Sequence, residues 1–308
     1  MSYDMIGVVA SHQVLSLRRQ RVFLALLAIL LTMTALAGVL GWSSHHTIVR
    51  VYDEAVKLLA STGQPAPPNP FLLKPTLSLL SNMVVYIPLI GALLALIVGH
   101  LSIVDDETNG TGRLVFSRQI TRTSYVLGKI ASAAAVLAVV LAASLLVSVA
   151  ALLVVNRAIA SADFGRLALF YALSWLYLIV FALIGMVTVL VTRRRSIALL
   201  SAMGAWLVIT FVIPQFTSGL RPTQSLNPIT DPASTTQTFF KITSKLRPYS
   251  VVEQYKQASV SILQTGTAEP FGQTVQRVLP IVGLAVVLLL LTIRLVQRHD
   301  FSRSATSE

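Results

Sequence analysis

Asp105, Asp106 and Glu107 are three successive acids, and the stretch Ile103–Lys129, IVDDETNGTGRLVFSRQITRTSYVLGK, goes on to Arg113, Arg118, Arg122 and Lys129. Carboxylates followed by cations can hold a hard metal, decorate a solvated helix end, or dock onto a partner. On a helix, successive positions lie ~100° apart and do not converge on one ion. A hard cation also needs further oxygen ligands, and no second acidic cluster lies nearby in the sequence. A charge-patterned helix end and a docking surface both stay open. The second could transmit a push from a partner, because the stretch lies between two long apolar runs.

The other residues with reactive side chains are few. His45-His46 is adjacent to the first apolar run, and paired histidines can bind a transition metal, although adjacent ligands alone make a poor site. His100 falls near the end of an apolar run, where it can reach the interface and reads as structural. Without cysteine, disulfides, thiol catalysis and Cys-ligated metals are excluded. There is no G-x-S-x-G elbow for a nucleophilic serine. A phosphate-binding loop needs G-x-x-x-x-G-K-[ST]. The one Gly-Lys here, Gly128-Lys129, is followed by Ile130 and has Thr123 where the first glycine belongs. ATP hydrolysis therefore has to come from another polypeptide.

The elements that must carry these residues follow from composition. Charged residues make up 12% of the chain and hydrophobic ones 55%, with a mean hydropathy of +0.75. A soluble domain carries about 25% charge. Runs of roughly 18 or more apolar residues are long enough to cross ~30 Å of hydrocarbon, and backbone in lipid must bond internally, so the spans are helices. The reading is an all-α polytopic membrane protein with six transmembrane helices at 22–42, 83–104, 126–155, 167–192, 196–214 and 278–296. Residues 1–21 form a lead-in and 297–308 a tail. The segments 43–82 and 215–277 are expected to contain short helices lying on the outer membrane surface, among them TIVRVYDEAVKLLAS.

Orientation follows from the basic residues. The formal charge is +12, and the cations sit mostly at the ends of apolar runs, not in an aromatic-interleaved patch, which argues for topology over nucleic acid. The short segments with Arg18, Arg19 and Arg21, the polar stretch, TRRRS at 192–196 and the last residues share one side. Both termini are expected in the cytoplasm. Central carboxylates are missing from the spans, which argues against ion-coupled transport and favours a lipid-like, amphipathic or hydrophobic-peptide cargo. Ala37, Gly38 and Gly41 could let span one approach a helix of its own chain or of a second copy.

The polar stretch resembles the loop after the second span in permease subunits of type-2, exporter-type ATP-binding-cassette transporters. The matching residues are Asp105, Glu107, Gly110, Thr111, Leu114, Ser117, Arg118, Arg122, Gly128 and Lys129. Gly112-Arg113 stands where an apolar pair is usual, and Gln119 where Pro is common. The tail LVQRHDF, the stretch RPYSVVEQYKQASVSIL and the six-span layout are similar to the same family. The resemblance implies a coupling loop seated in a groove of a separate ATPase, with Asp105, Asp106, Glu107, Arg113, Arg118 and Arg122 as contact residues. It implies two ATPase subunits per complex, which bind the ATP and magnesium; this chain would hold no cofactor. A second permease copy or a homologous permease, membrane lipids and a bacterial plasma membrane complete the expectation. A non-transporting enzyme-maturation component or a scaffold or sensor is the alternative.

Overall fold

The computed structural model describes residues 20–65, 76–108, 121–156, 159–192, 194–218, 242, 244–265 and 270–298; the side chains of 44, 45, 106–108, 156, 218, 244 and 271 fall outside the description. Among the described residues there is no strand, and six helices are long and apolar enough to cross a membrane. The chain is an all-α polytopic membrane protein.

Helix α1 is Arg21–Ser61. The stretch expected to form a separate helix after residue 43 instead continues α1 without a break. No proline interrupts GWSSHHT, and Thr47 Oγ1 bonds the Ser43 carbonyl one turn back at 2.9 Å, as a helical hydroxyl can. The helix stops at Gly63, whose φ of 73° is open to glycine at no steric cost. Gly63 N–H then bonds the Ala60 carbonyl and Gln64 N–H the Leu59 carbonyl, which closes the last turn.

A 3-10 turn, Thr76–Leu80, leads into α2, built from Met83–Tyr86, a π-helical turn Ile87–Gly91 and Ala92–Thr108. Helices α3, Arg122–Asn156, and α4, Ser161–Val191, follow. Helix α5 comprises Arg195–Leu207, a second π-helical turn Val208–Val212 and Ile213–Ser218. Pro88 lies in the first π turn, and its carbonyl accepts Trp206 Nε1 of α5 at 3.4 Å. The short α6 is Val251–Ile262, and α7 is Phe271–Arg298. Consecutive spans run antiparallel, so the bundle has a loop end, where α2 stops and α3 starts, and a far end.

Helix α4 is the centre of the bundle. Phe170, Tyr177, Leu178, Phe181 and Met186 along it are fully buried. It crosses α2 where both helices carry glycine: a Cβ on Gly99 would lie 1.9 Å from the Ala182 carbonyl oxygen, and one on Gly185 would lie 2.2 Å from that of Leu96. Small residues give close backbone approach where lipid supplies no hydrophobic drive between helices. The glycines of span one are used the same way within the chain. A Cβ on Gly38 would meet Ala151 Cβ at 2.5 Å, and one on Gly41 the Leu79 carbonyl at 2.7 Å. Most polar residues inside the spans close onto their own helix. Thr34, Ser174 and Thr292 each bond the carbonyl four residues back, at 2.8, 2.8 and 2.7 Å. Helices α5 and α7 instead present Leu200, Phe211, Val287 and Leu290 to the surroundings.

Candidate functional site

The loop end gathers the flanks of the polar stretch. Asp105, half-buried in the last turns of α2, accepts Gln20 Nε2 at 3.3 Å, which ties the start of α1 to the end of α2. Helix α3 is preceded by Thr121, whose Oγ1 accepts the Ser124 N–H at 3.3 Å in the position of an N-cap. Arg122, exposed at the first helical residue, donates from Nη1 to the Gln297 carbonyl of α7 at 2.5 Å. Gln297 Nε2 makes a longer contact with Thr123 Oγ1 at 3.5 Å. Two turns further, Lys129 is only 3% exposed, with its ammonium 5.7 Å from the centre of the ring of Tyr125, four residues before it on α3.

The structure thus places two of the six contact residues expected from the sequence. Asp105 and Arg122 stand at the two edges of the loop, each bonded to a different span. The backbone of Asp106 and Glu107 continues α2, while their side chains, together with Arg113 and Arg118, lie outside the described residues. His46 is exposed, its ring 5.9 Å from that of Trp42; the side chain of His45 lies outside the description. Among the described residues no group of three His, Cys, Asp or Glu is placed to hold a metal ion.

Residues 8–301 match the family described as ABC-2 family transporter protein, which covers nearly all of the 308 residues. The chain belongs to the ABC-2 transporter family. A comparison with curated proteins gave no match. As an ABC-2 permease it is the membrane-spanning transport subunit of an ABC transporter, and it is not itself the catalyst of ATP hydrolysis. Its family associates with ABC ATPase subunits.

The permease carries a second polar constellation at the far end, which no sequence motif marks. In helix α6, Val252, Tyr255, Ala258 and Ser259 are fully buried against the bundle. Tyr255 stacks on Tyr177 of α4, with ring centres 4.4 Å apart, and shares a hydrogen bond with Ser174 at 2.8 Å. Ser148 of α3 and Tyr171 of α4 share another at 2.7 Å. Burial pushes the Tyr255 hydroxyl well above the ordinary tyrosine range, against the opposing effect of the Ser174 hydrogen bond. The turn before α6 is pinned by Arg247 Nε donating to Glu253 at 2.6 Å and Gln254 Nε2 donating to the Arg247 carbonyl at 3.0 Å. Tyr255 thus turns to α4 while another face of α6 reaches α7: Ser261 shares a bond with Thr274 at 2.9 Å, and Arg277 donates to Gln257; just beyond α6, Gln264 accepts Arg166 of α4 at 2.8 Å. Local patterning offers no cue to these pairings, because Tyr177 lies in an apolar span and Tyr255 in a mixed-polarity segment far from it in the chain.

Proposed function

We propose that this permease moves an amphipathic or hydrophobic cargo, driven by two separate ABC ATPase subunits that bind the ATP and magnesium. The polar stretch between α2 and α3 is the coupling element. Asp105, Asp106 and Glu107 set its approach, and Arg113, Arg118 and Arg122 supply its positive charge. A second permease, either another copy or a homologue, completes the membrane unit. The loop end faces the cytoplasm of a bacterial cell, with both termini on that side. The observation that carries the reading is the family match over residues 8–301, joined to a polar loop flanked by residues bonded to other spans. An apolar set of spans whose hydroxyls close onto their own helices suits a cargo that sheds little water on entry.

The test is copurification of the chain with its ATPase in mild detergent, with hydrolysis measured before and after Glu107→Lys and Arg118→Glu. Loss of association or uncoupled hydrolysis in the charge-reversed chain supports the loop as the docking element. Unchanged association and unchanged coupling in the double variant refutes it.

A further inference from the structure

Arg122 stands where its own helix disfavours it. It is the first residue of α3, behind the Thr121 cap. There the aligned peptide dipoles present partial positive charge, so an anion is preferred and a cation is disfavoured. The reason for an arginine lies on another helix. Gln297 is the next-to-last residue of α7, Phe271–Arg298, and its carbonyl is one of the last four that no N–H of the same helix reaches. That terminus carries partial negative charge, and a guanidinium donor satisfies both the orphan carbonyl and the dipole. The bond spans 175 positions of sequence. Thr123, next to Arg122, touches the side chain of the same glutamine. The first two residues after the loop are therefore fastened to the end of the last span.

Helix α7 is fastened again at its far end. Thr274 and Arg277, in its first turns, bond Ser261 and Gln257 of α6. These two α6 residues are one turn apart on a single face, and their partners on α7 run in the opposite order, so α6 and α7 are zipped antiparallel. Pro280 removes one intrahelical bond near this end, yet the helix continues through it. The 28 residues of α7 span about 40 Å. One helix thus joins the exit of the polar loop to α6, the helix buried against Tyr177.

We propose that Arg122 is a positioning residue, a latch that fixes the loop exit to α7, and that α7 is the strut through which displacement of the loop reaches α6. This rests on the coupling reading of the loop given above. Arg122 acts through the Gln297 carbonyl, not on the ATPase surface.

The absence of cysteine lets two be added for spin labels, at Lys57→Cys on α1 and Gln276→Cys on α7, both exposed positions toward the far end. The labelled chain, in complex with its ATPase in lipid nanodiscs, is measured by pulsed electron paramagnetic resonance with ADP and with vanadate-trapped nucleotide. The parent is expected to show a nucleotide-dependent change in the distance. Arg122→Met, which keeps an unbranched apolar stem and loses the donor, is expected to abolish that change while the ATPase copurifies at the parent ratio. Arg122→Lys, which can still donate to the carbonyl, is expected to restore it. A change that persists in Arg122→Met overturns the latch, and a parent that shows none overturns the strut. If Arg122→Met alone loses the ATPase, Arg122 belongs to the docking surface and the latch is wrong. If the parent itself retains no ATPase, the coupling reading fails, and this proposal with it.

Discussion

The glycine crossing of α2 and α4 makes a quantitative prediction. Replacing Gly99 by alanine puts a Cβ 1.9 Å from the Ala182 carbonyl oxygen, whereas real Cβ contacts essentially never fall below 3.0 Å. The obstructing atom is backbone, so no rotamer change relieves the clash, and the two helices must separate by about 1 Å. Overpacking of this kind costs about 1–3 kcal/mol, and contact with backbone places Gly99 near the top of that range. The alanine recovers up to about 1 kcal/mol of helix propensity. A net loss of about 2 kcal/mol follows, measured as a fall in the thermal midpoint of the purified chain in detergent by fluorescence-detected size exclusion. Gly204→Ala is the control: it is also helical, but nothing lies within 4 Å of its added Cβ. That variant is expected to melt with the parent or slightly above it. Gly99→Ala with Gly185→Ala should cost less than the two single losses together, because one separation of the helices relieves both contacts. If Gly99→Ala melts with Gly204→Ala, the close crossing is not a feature of the folded protein.

Three further outcomes are expected. Tyr255→Phe leaves the buried Ser174 hydroxyl without its cross-helix partner and should cost about 1–2 kcal/mol; a double-mutant cycle with Ser174→Ala should show coupling between the two positions. Because the Tyr255 hydroxyl titrates higher in the folded state than in the unfolded one, its contribution is fully present below the ordinary tyrosine pKa of ~10 and is lost as the pH rises through the folded value. Alkaline melting curves should therefore fall less steeply above pH ~10 in Tyr255→Phe. Arg247→Ala strips the partner from Glu253, whose side chain is 8% exposed, and should destabilise the chain by about 1–2 kcal/mol after allowance for the half-exposed arginine; addition of Glu253→Gln should recover part of that loss.

The helical character of the chain was legible because lipid imposes one rule on every residue of a span. Runs such as VFLALLAILLTMTALAGVLGW and VLLLLTIRLV read as spans without knowledge of their neighbours, and each lies in a helix of the structure. The end of a span is less legible, since hydropathy drops where a helix leaves hydrocarbon whether or not the helix stops. That is why α1 continues through His45-His46 to Ser61. The position of α6 was hidden for another reason. Its sequence, VVEQYKQASVSI, mixes apolar and polar residues as a surface helix does, and only the partners on α4 and α7 show that Gln257 and Ser261 face another helix instead of water. At the loop end, Arg122 reads from sequence as one more loop cation. Its meaning comes from the α7 terminus, which meets it only in the folded chain.

The length of α1 has a mechanical consequence. Its 41 residues extend about 60 Å, roughly twice the hydrocarbon thickness. The two tight contacts, Gly38 on Ala151 and Gly41 on the Leu79 carbonyl, lie near its midpoint. The arm toward the polar loop packs along the bundle, with Phe23, Leu30, Thr34 and Ala37 buried, while the arm beyond Gly41 runs on for about 30 Å, mostly exposed. The base of one arm adjoins Gln20, bonded to Asp105 beside the polar loop, and the tip of the other carries Arg50 and Glu54 into exposed space. A load applied at that tip therefore acts on the Gly38 and Gly41 contacts with a lever arm of about 30 Å. Any molecule that binds the tip gains that leverage on the packing of α1 against α3 and against the turn before α2.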